Sequence, residues 1–388
     1  MGVAIGARGG ITPRHDSTVI PGADELWADL DPAVSHCNHG SYGAVARPVR
    51  LAQDELRRRA EVNPNQWFRF ELPALLEDAR VHMAQFVGAQ EGNAAFVANA
   101  TTGVTIAIEA VRLQPGEGIV ITDHAYFAVA RAARRATARS GGDTTVANID
   151  LVDDPDAHVA AFLAAVDDRT RIAIVDHIAS PTGLVLPVTE IVAALRDRGI
   201  VTIVDAAHVP GSRPASTDAL GADFWTGNFH KWAAAPRPCA ALVMNNGWAE
   251  RTEPVVGTFD WHGTDDYTSY LCLQTAVEVL AQFGWDALWA HNDELAAWGG
   301  QLVADAIGAD VALPKTARGP MSLIPLPQGT VDYGTEPDFI ARVSRQLGVE
   351  VAANVWRDQG YLRVSAHAYN TEADYERLAK GLPALLGR

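Results

Sequence analysis

Ile200-Val-Thr-Ile-Val-Asp205-Ala-Ala-His208 and Thr226-Gly-Asn-Phe-His-Lys231-Trp232, taken together, decide the fold. In the first stretch a run of apolar and β-branched residues reads as a strand that ends on an acid. In the second, a short polar strand leads into a lysine, and the loop Ala-Ala-Ala-Pro236 follows. Either residue alone reads as an unrelated strand-end aspartate or a solvated lysine. As a pair they meet what a pyridoxal phosphate enzyme needs. The lysine forms the Schiff base, and the carboxylate keeps the pyridine nitrogen protonated so that the ring accepts electrons.

Outward from this pair the chain alternates apolar strands with amphipathic helices. Strands are predicted over 95–98, 118–122, 144–148, 171–177, 200–205, 224–227 and 240–244. Helices are predicted over 48–62, 72–87, 103–111, 125–140, 154–166, 187–198 and 217–221. Short strands that are apolar on both faces, separated by helices, read as a mostly parallel sheet covered on both sides. Ligands bind outside the carboxyl ends of such strands, where Asp205 and Ser180 fall. After Tyr270 the pattern changes to helices over 272–282 and 287–307, strands over 321–325 and 360–364, and a helix over 372–386. This reads as a smaller α+β domain. Residues 1–22, rich in Gly, Pro and Ser, read as a loose arm.

With 388 residues, 48% of them hydrophobic, the chain can bury a large core in two domains. A formal charge of −16 without long basic runs speaks against a nucleic-acid partner. Cys37, Cys239 and Cys272 are far apart, which points to a reducing compartment and gives neither a disulfide framework nor a metal site. No apolar run reaches the ~18 residues that would cross a bilayer. The first ten residues lack the pattern of a signal peptide, so the cytoplasm is the expected location.

Further residues bear on chemistry. Asn99-Ala-Thr-Thr-Gly103 lies between a strand and a helix, where free N–H groups and the helix dipole favour a phosphate; a plain N-cap by Thr101 reads equally well. Asn228 and His230 flank the lysine and offer more donors. His208, three residues after Asp205, can donate to the cofactor's phenolic oxygen or serve as a core histidine. Tyr126 can lie flat on the pyridine ring or be a core aromatic, with His124 as the competitor for stacking. Arg363, in a short apolar strand, needs an anion: a substrate carboxylate or a structural partner. Arg69 is a second candidate for that role or an exposed helix charge.

In these segments the chain resembles the class V aminotransferase family of fold-type I pyridoxal phosphate enzymes, in particular its isopenicillin N epimerase-like branch. The matching segments are Asn38-His-Gly-Ser-Tyr-Gly43, Asn99-Ala-Thr101, Asp123-His-Ala-Tyr126, His177-Ile-Ala-Ser-Pro-Thr-Gly-Leu-Val-Leu-Pro187, Val204-Asp-Ala-Ala-His-Val-Pro-Gly211, Asn228-Phe-His-Lys-Trp232, His262-Gly-Thr264, Arg363-Val-Ser365 and Tyr369-Asn-Thr371. They run in family order from about residue 35 onward. The resemblance implies a mostly parallel seven-stranded sheet flanked by helices, with an N-terminal arm over 1–44, a large cofactor domain over 45–270 and a small domain over 271–388. It implies Lys231 as the Schiff-base lysine, Asp205 on the pyridine nitrogen, His208 on the phenolic oxygen and Tyr126 stacked on the ring. Ala100, Thr101, Asn228 and His230 would hold the phosphate of pyridoxal 5'-phosphate, and Ser180 would lie on its hydroxyl side. Gly263 and Thr264 would reach the phosphate of the second subunit of a homodimer whose sites lie at the interface. Arg363 would bind the substrate carboxylate, with Asn38 and Arg69 as further substrate-side candidates.

Two departures stand out. The family's small Pro-x-Gly turn after the lysine is replaced by Pro236-Arg-Pro-Cys239, which brings Arg237 toward the mouth of the site. Residues 348–360 contain no cysteine, which speaks against a persulfide-forming desulfurase. The expected activity is epimerisation at Cα of an amino-acid-type substrate. A carbon–sulfur lyase of the hercynylcysteine sulfoxide lyase type and an aminotransferase are the alternatives, and a silent binding protein is disfavoured by the intact Lys231 and Asp205.

Overall fold

Side chains alternate between two cores along every central strand of the computed structural model, which describes residues 20–254 and 259–388. The arm expected over 1–22 therefore lies outside the described residues for its first nineteen positions. Seven strands form the main sheet: β1 (Ala94–Val97), β2 (Gly118–Thr122), β3 (Thr144–Ala147), β4 (Thr170–Asp176), β5 (Val201–Asp205), β6 (Phe224–Asn228) and β7 (Ala240–Met244). Their spatial order is β1-β7-β6-β5-β4-β2-β3. All pairings are parallel except those of β7, which runs antiparallel to both β1 and β6. In β4, Ile172 and Ile174 enter one apolar cluster while Ala173 and Val175 enter the other. In β6, Phe224 and Trp225 divide in the same way. The period of two thus sends each strand into both helical layers, as a doubly covered sheet requires.

The smaller sheet joins β8 (Met321–Pro325), β9 (Ala352–Trp356) and β10 (Gln359–Ser365), with β10 central and antiparallel to both neighbours. A third cluster lies beneath it and includes Phe339, Val343, Leu362, Val364, Tyr375 and Leu378. Cys37 belongs to this cluster, and Ser35–His36 pairs in parallel with Val349–Glu350. The long helix Trp285–Ala306 links the cores: Leu288 packs with the main cluster, whereas Leu295 and Val303 pack with the third. All three cysteines are buried and free.

Register sets the functional end of the sheet. Asp176 pairs with Asp205, which pairs with Thr226; Asn228 pairs with Ala240, which pairs with Val97. The carboxyl ends of β1, β4, β5 and β6 therefore come to one edge, and the strand-to-helix loops meet there.

Candidate active site

A cavity of about 760 Å³ opens at that edge. Its wall includes Asn99–Thr102, Tyr126, Asp176, Ser180, Asp205, His208, Asn228, His230 and Lys231, with Asn38, Ser41, Tyr42, Asn354 and Arg363 from the smaller sheet's side.

One side of the cavity is a helix start. The helix Ala100–Val111 is capped by Asn99, whose side-chain Oδ1 accepts from the Thr102 N–H at 2.9 Å. The cap is thus not Thr101, and the helix begins three residues before the predicted position. Asn228 Oδ1 accepts from the Ala100 N–H at 2.8 Å. Among the described residues this leaves the Thr101 N–H unclaimed at the positive end of a three-turn helix, a suitable anion cradle. Helix and sheet touch closely here: a Cβ on Gly103 would stand 2.2 Å from Thr226 Oγ1. His230 Nδ1 is held by the Cys239 backbone at 2.9 Å from the carbonyl oxygen, which leaves Nε2 toward the cavity. Burial and then the nearby Lys231 charge lower His230 to about 4, so its imidazole is neutral.

The same cavity brings together Lys231, His208, Asp205 and Asp176. Lys231 Nζ is 3.1 Å from His208 Nε2. Burial, followed by the field of Arg363, lowers the Lys231 amine to about 7 against the pull of Asp205. It therefore reaches its nucleophilic, neutral form near neutrality. His208 accepts the Trp232 indole N–H at Nδ1, 3.2 Å away, and burial holds it well below the ordinary imidazole range. Asp205 is buried; desolvation pushes its carboxyl up, and the Ala207 N–H at 3.0 Å and Lys231 oppose this. Asp176, not singled out from sequence, is equally buried and accepts from the Thr122 hydroxyl. Desolvation and then the Asp205 charge raise it to about 7.

Another part of the wall centres on Arg363. This guanidinium is buried, donates to the Ser180 carbonyl and to Ser41 Oγ at 3.2 Å, and lies 3.5 Å from Asn38 Oδ1. Its Nε has no partner, and no carboxylate pairs with it among the described residues. Burial alone lowers it to about 10. A desolvated guanidinium with no carboxylate partner among the described residues suits an anionic group of a ligand.

Several expectations need correction. His124 is fully buried away from the cavity, with its nitrogens 2.9 Å from Thr182 Oγ1 and 2.8 Å from the Ile149 carbonyl, and its ring stacked 4.8 Å from Trp356. Of the two stacking candidates only Tyr126 lines the cavity. Arg69 is exposed on the π-helical turn Trp67–Glu71, where Trp67 takes the inward position, and it does not line the cavity. Arg237 is exposed and donates to the Tyr42 and Gly43 carbonyls at 2.7 and 2.6 Å, and its charge contributes to the lowering of the cavity-lining His230. Gly263 and Thr264, expected to serve the second subunit's site, do not line this chain's own cavity, in keeping with that expectation. Ser41, Tyr42 and Asn354 were missed among single residues, although Ser41 and Tyr42 lie within the quoted Asn38–Gly43 stretch.

A family model described as aminotransferase class-V matches residues 59–378. The isopenicillin N epimerase of Amycolatopsis lactamdurans is 30% identical, over 92% of this chain and 96% of its own. The L-cysteine desulfhydrase of Arabidopsis thaliana is 27% identical, over 94% of this chain and 90% of its own. Among solved structures, a C-DES mutant with glycine covalently linked to its PLP cofactor superposes with a TM-score of 0.81 at 17% identity, covering 92% of this chain and 98% of that one.

Proposed function

The chain belongs to the class V aminotransferase family, whose cofactor is pyridoxal 5'-phosphate, and from that premise we propose that it epimerises an amino-acid-type substrate at Cα. One observation carries the choice of an amino acid: the buried Arg363, with no carboxylate partner among the described residues, shares a cavity with the depressed amine of Lys231. A carboxylate and an amino group on one carbon answer both. Similarity to isopenicillin N epimerase over nearly the full length favours epimerisation among the family's reactions.

The residues present fit the cofactor. The Thr101 N–H, Asn228 and His230 would hold its phosphate, whereas the Ala100 N–H, expected to join them, is already given to Asn228 Oδ1. Asp205 would hold its ring nitrogen, His208 its phenolic oxygen and Lys231 its aldehyde carbon, with Tyr126 against the ring and Ser180 beside the hydroxyl. When bound, the cofactor supplies an electron-accepting ring that stabilises negative charge at Cα. Arg363 grips the substrate carboxylate through its fork, helped by Asn38 and Ser41, and so orients the Cα–H bond. Lys231, released as a neutral amine, takes that proton. Asp205 keeps its negative charge in a water-poor pocket, which strengthens its hold on a protonated ring nitrogen. The working unit is a homodimer in which Gly263 and Thr264 complete the partner's phosphate site.

A carbon–sulfur lyase is the second reading, supported by the likeness to L-cysteine desulfhydrase. A screen of amino acids in deuterium oxide separates the two. Epimerisation gives solvent deuterium at Cα without keto acid, whereas elimination gives pyruvate and ammonia. Amino-group exchange onto an added keto acid would mark an aminotransferase instead.

A further inference from the structure

We propose that Trp232 is a positioning residue that fixes the tautomer of His208, so that Nε2 carries the proton and faces the lysine amine, and later the cofactor's phenolic oxygen, as a donor. The inference rests on the proposed cofactor role of His208. An indole N–H can only donate, so the 3.2 Å contact from Trp232 Nε1 makes His208 Nδ1 the acceptor. A neutral imidazole has one N–H, which must then sit on Nε2, 3.1 Å from Lys231 Nζ. Burial of His208, with Lys231 and Arg363 nearby, keeps the ring neutral.

Trp232 is itself held from several sides. It is fully buried, and a Cβ on Gly40 would come within 3.0 Å of its ring. His367 Nε2 donates to its carbonyl at 3.2 Å, and His39 Nε2 donates to the Lys231 carbonyl at 3.0 Å. The His39 and His367 rings stack at 3.9 Å. Two stacked imidazoles therefore clamp the consecutive carbonyls of Lys231 and Trp232, and the indole passes that rigidity to His208.

The test starts with cofactor-free native protein labelled with ¹⁵N-histidine, its His208 signals assigned by their loss in His208→Gln. A single Nε2–H tautomer is expected, and an Nδ1–H form would overturn the proposal even if no Trp232 variant folds. Trp232→Phe should give a mixture of tautomers; an unchanged single tautomer there also overturns it. In the loaded enzyme, losing the donor makes the phenolic oxygen more basic. The pH at which the cofactor's absorbance changes should then rise by about one unit, the worth of one hydrogen bond to a charged group. In a His208→Gln background, whose amide donor needs no tautomer, Trp232→Phe should cause no such shift; an equal shift would show that Trp232 does not act through His208. Failure of the native protein to take up the cofactor covalently would sink the proposed function and leave the tautomer result standing.

Discussion

Asp176 and Asp205 are register partners at the carboxyl ends of neighbouring parallel strands, and both carboxyl groups are buried at the wall of one cavity. Two such groups in a poorly solvated site do not both ionise readily, because each charge raises the cost of the other. Asp205 has a backbone N–H and the lysine field on its side, whereas Asp176 has the Thr122 hydroxyl. The proton of the pair therefore belongs mainly to Asp176, and Asp205 is left as the carboxylate.

A stability dependence on pH follows. Asp176 is raised from 3.8 to about 7 by burial and by Asp205. Over that interval the unfolded chain has released the proton that the folded chain keeps. Folding stability therefore falls as pH rises from about 4 to about 7 and then levels off. Asp176→Asn keeps the shape without the charge and should remove much of that fall. Its gain over the native protein should be near zero at pH 4 and on the order of 1–3 kcal/mol at pH 8. Urea unfolding of the cofactor-free proteins at both values measures it, and identical pH slopes would refute it.

Arg363 should show a conflict between stability and function. The desolvation of a buried cation with no carboxylate partner among the described residues outweighs its hydrogen bonds to the Ser180 carbonyl and Ser41 Oγ, so Arg363→Met should unfold at a temperature no lower than the native protein. The same change should lower kcat/KM for the amino-acid substrate by about a hundredfold, the loss of a charge-assisted fork. Arg363→Lys retains the charge but not the two-pronged geometry and should recover little. Near-native kcat/KM in the Met variant would place the substrate carboxylate elsewhere.

The sheet was legible because each strand is a short apolar run closed by a turn: β2, β7 and β8 have the predicted bounds. Strand β9 was not read, since Ala-Ala-Asn-Val-Trp lacks a clean alternation and carries Asn354, which reaches the Pro181 carbonyl at 3.0 Å. The helix after β1 was started late because Gly103 looked like its first residue, when its bareness answers to Thr226 on the sheet. Lys231 and Asp205 stand out as a pair of strand-end groups, and Arg363 as a cation inside an apolar strand. Asp176 and Trp232 do not, because each matters only through its neighbour in space: one across a strand pair, the other across a ring nitrogen.

The tight contact between Gly103 and Thr226 makes a coupled prediction. Gly103→Ala would ordinarily favour a helix by about 1 kcal/mol. Here the new methyl meets Thr226 Oγ1, whose hydroxyl donates to the Ala241 carbonyl at 2.8 Å. A net loss of about 1–3 kcal/mol is expected from this overpacking. In a Thr226→Ala background the loss should shrink by at least ~1 kcal/mol, a coupling that a double-mutant cycle by denaturant unfolding reads directly. Additive losses would mean that the helix moves away without cost.

Lys231 and Asp205 should separate attachment from turnover. The Lys231 amine, lowered to about 7 and 3.1 Å from His208, is the group proposed to bond the cofactor's aldehyde carbon. Borohydride reduction of the loaded native protein should add the cofactor's mass to the peptide that contains Lys231, and Lys231→Ala should show no adduct at all. Asp205→Asn should still give the adduct, since the amine is intact. Its rate of Cα-deuterium exchange should nevertheless fall by about a hundredfold or more, because a neutral amide cannot hold a proton on the ring nitrogen. An adduct on another lysine, or exchange in Asp205→Asn at the native rate, would remove the chemical basis of the assignment.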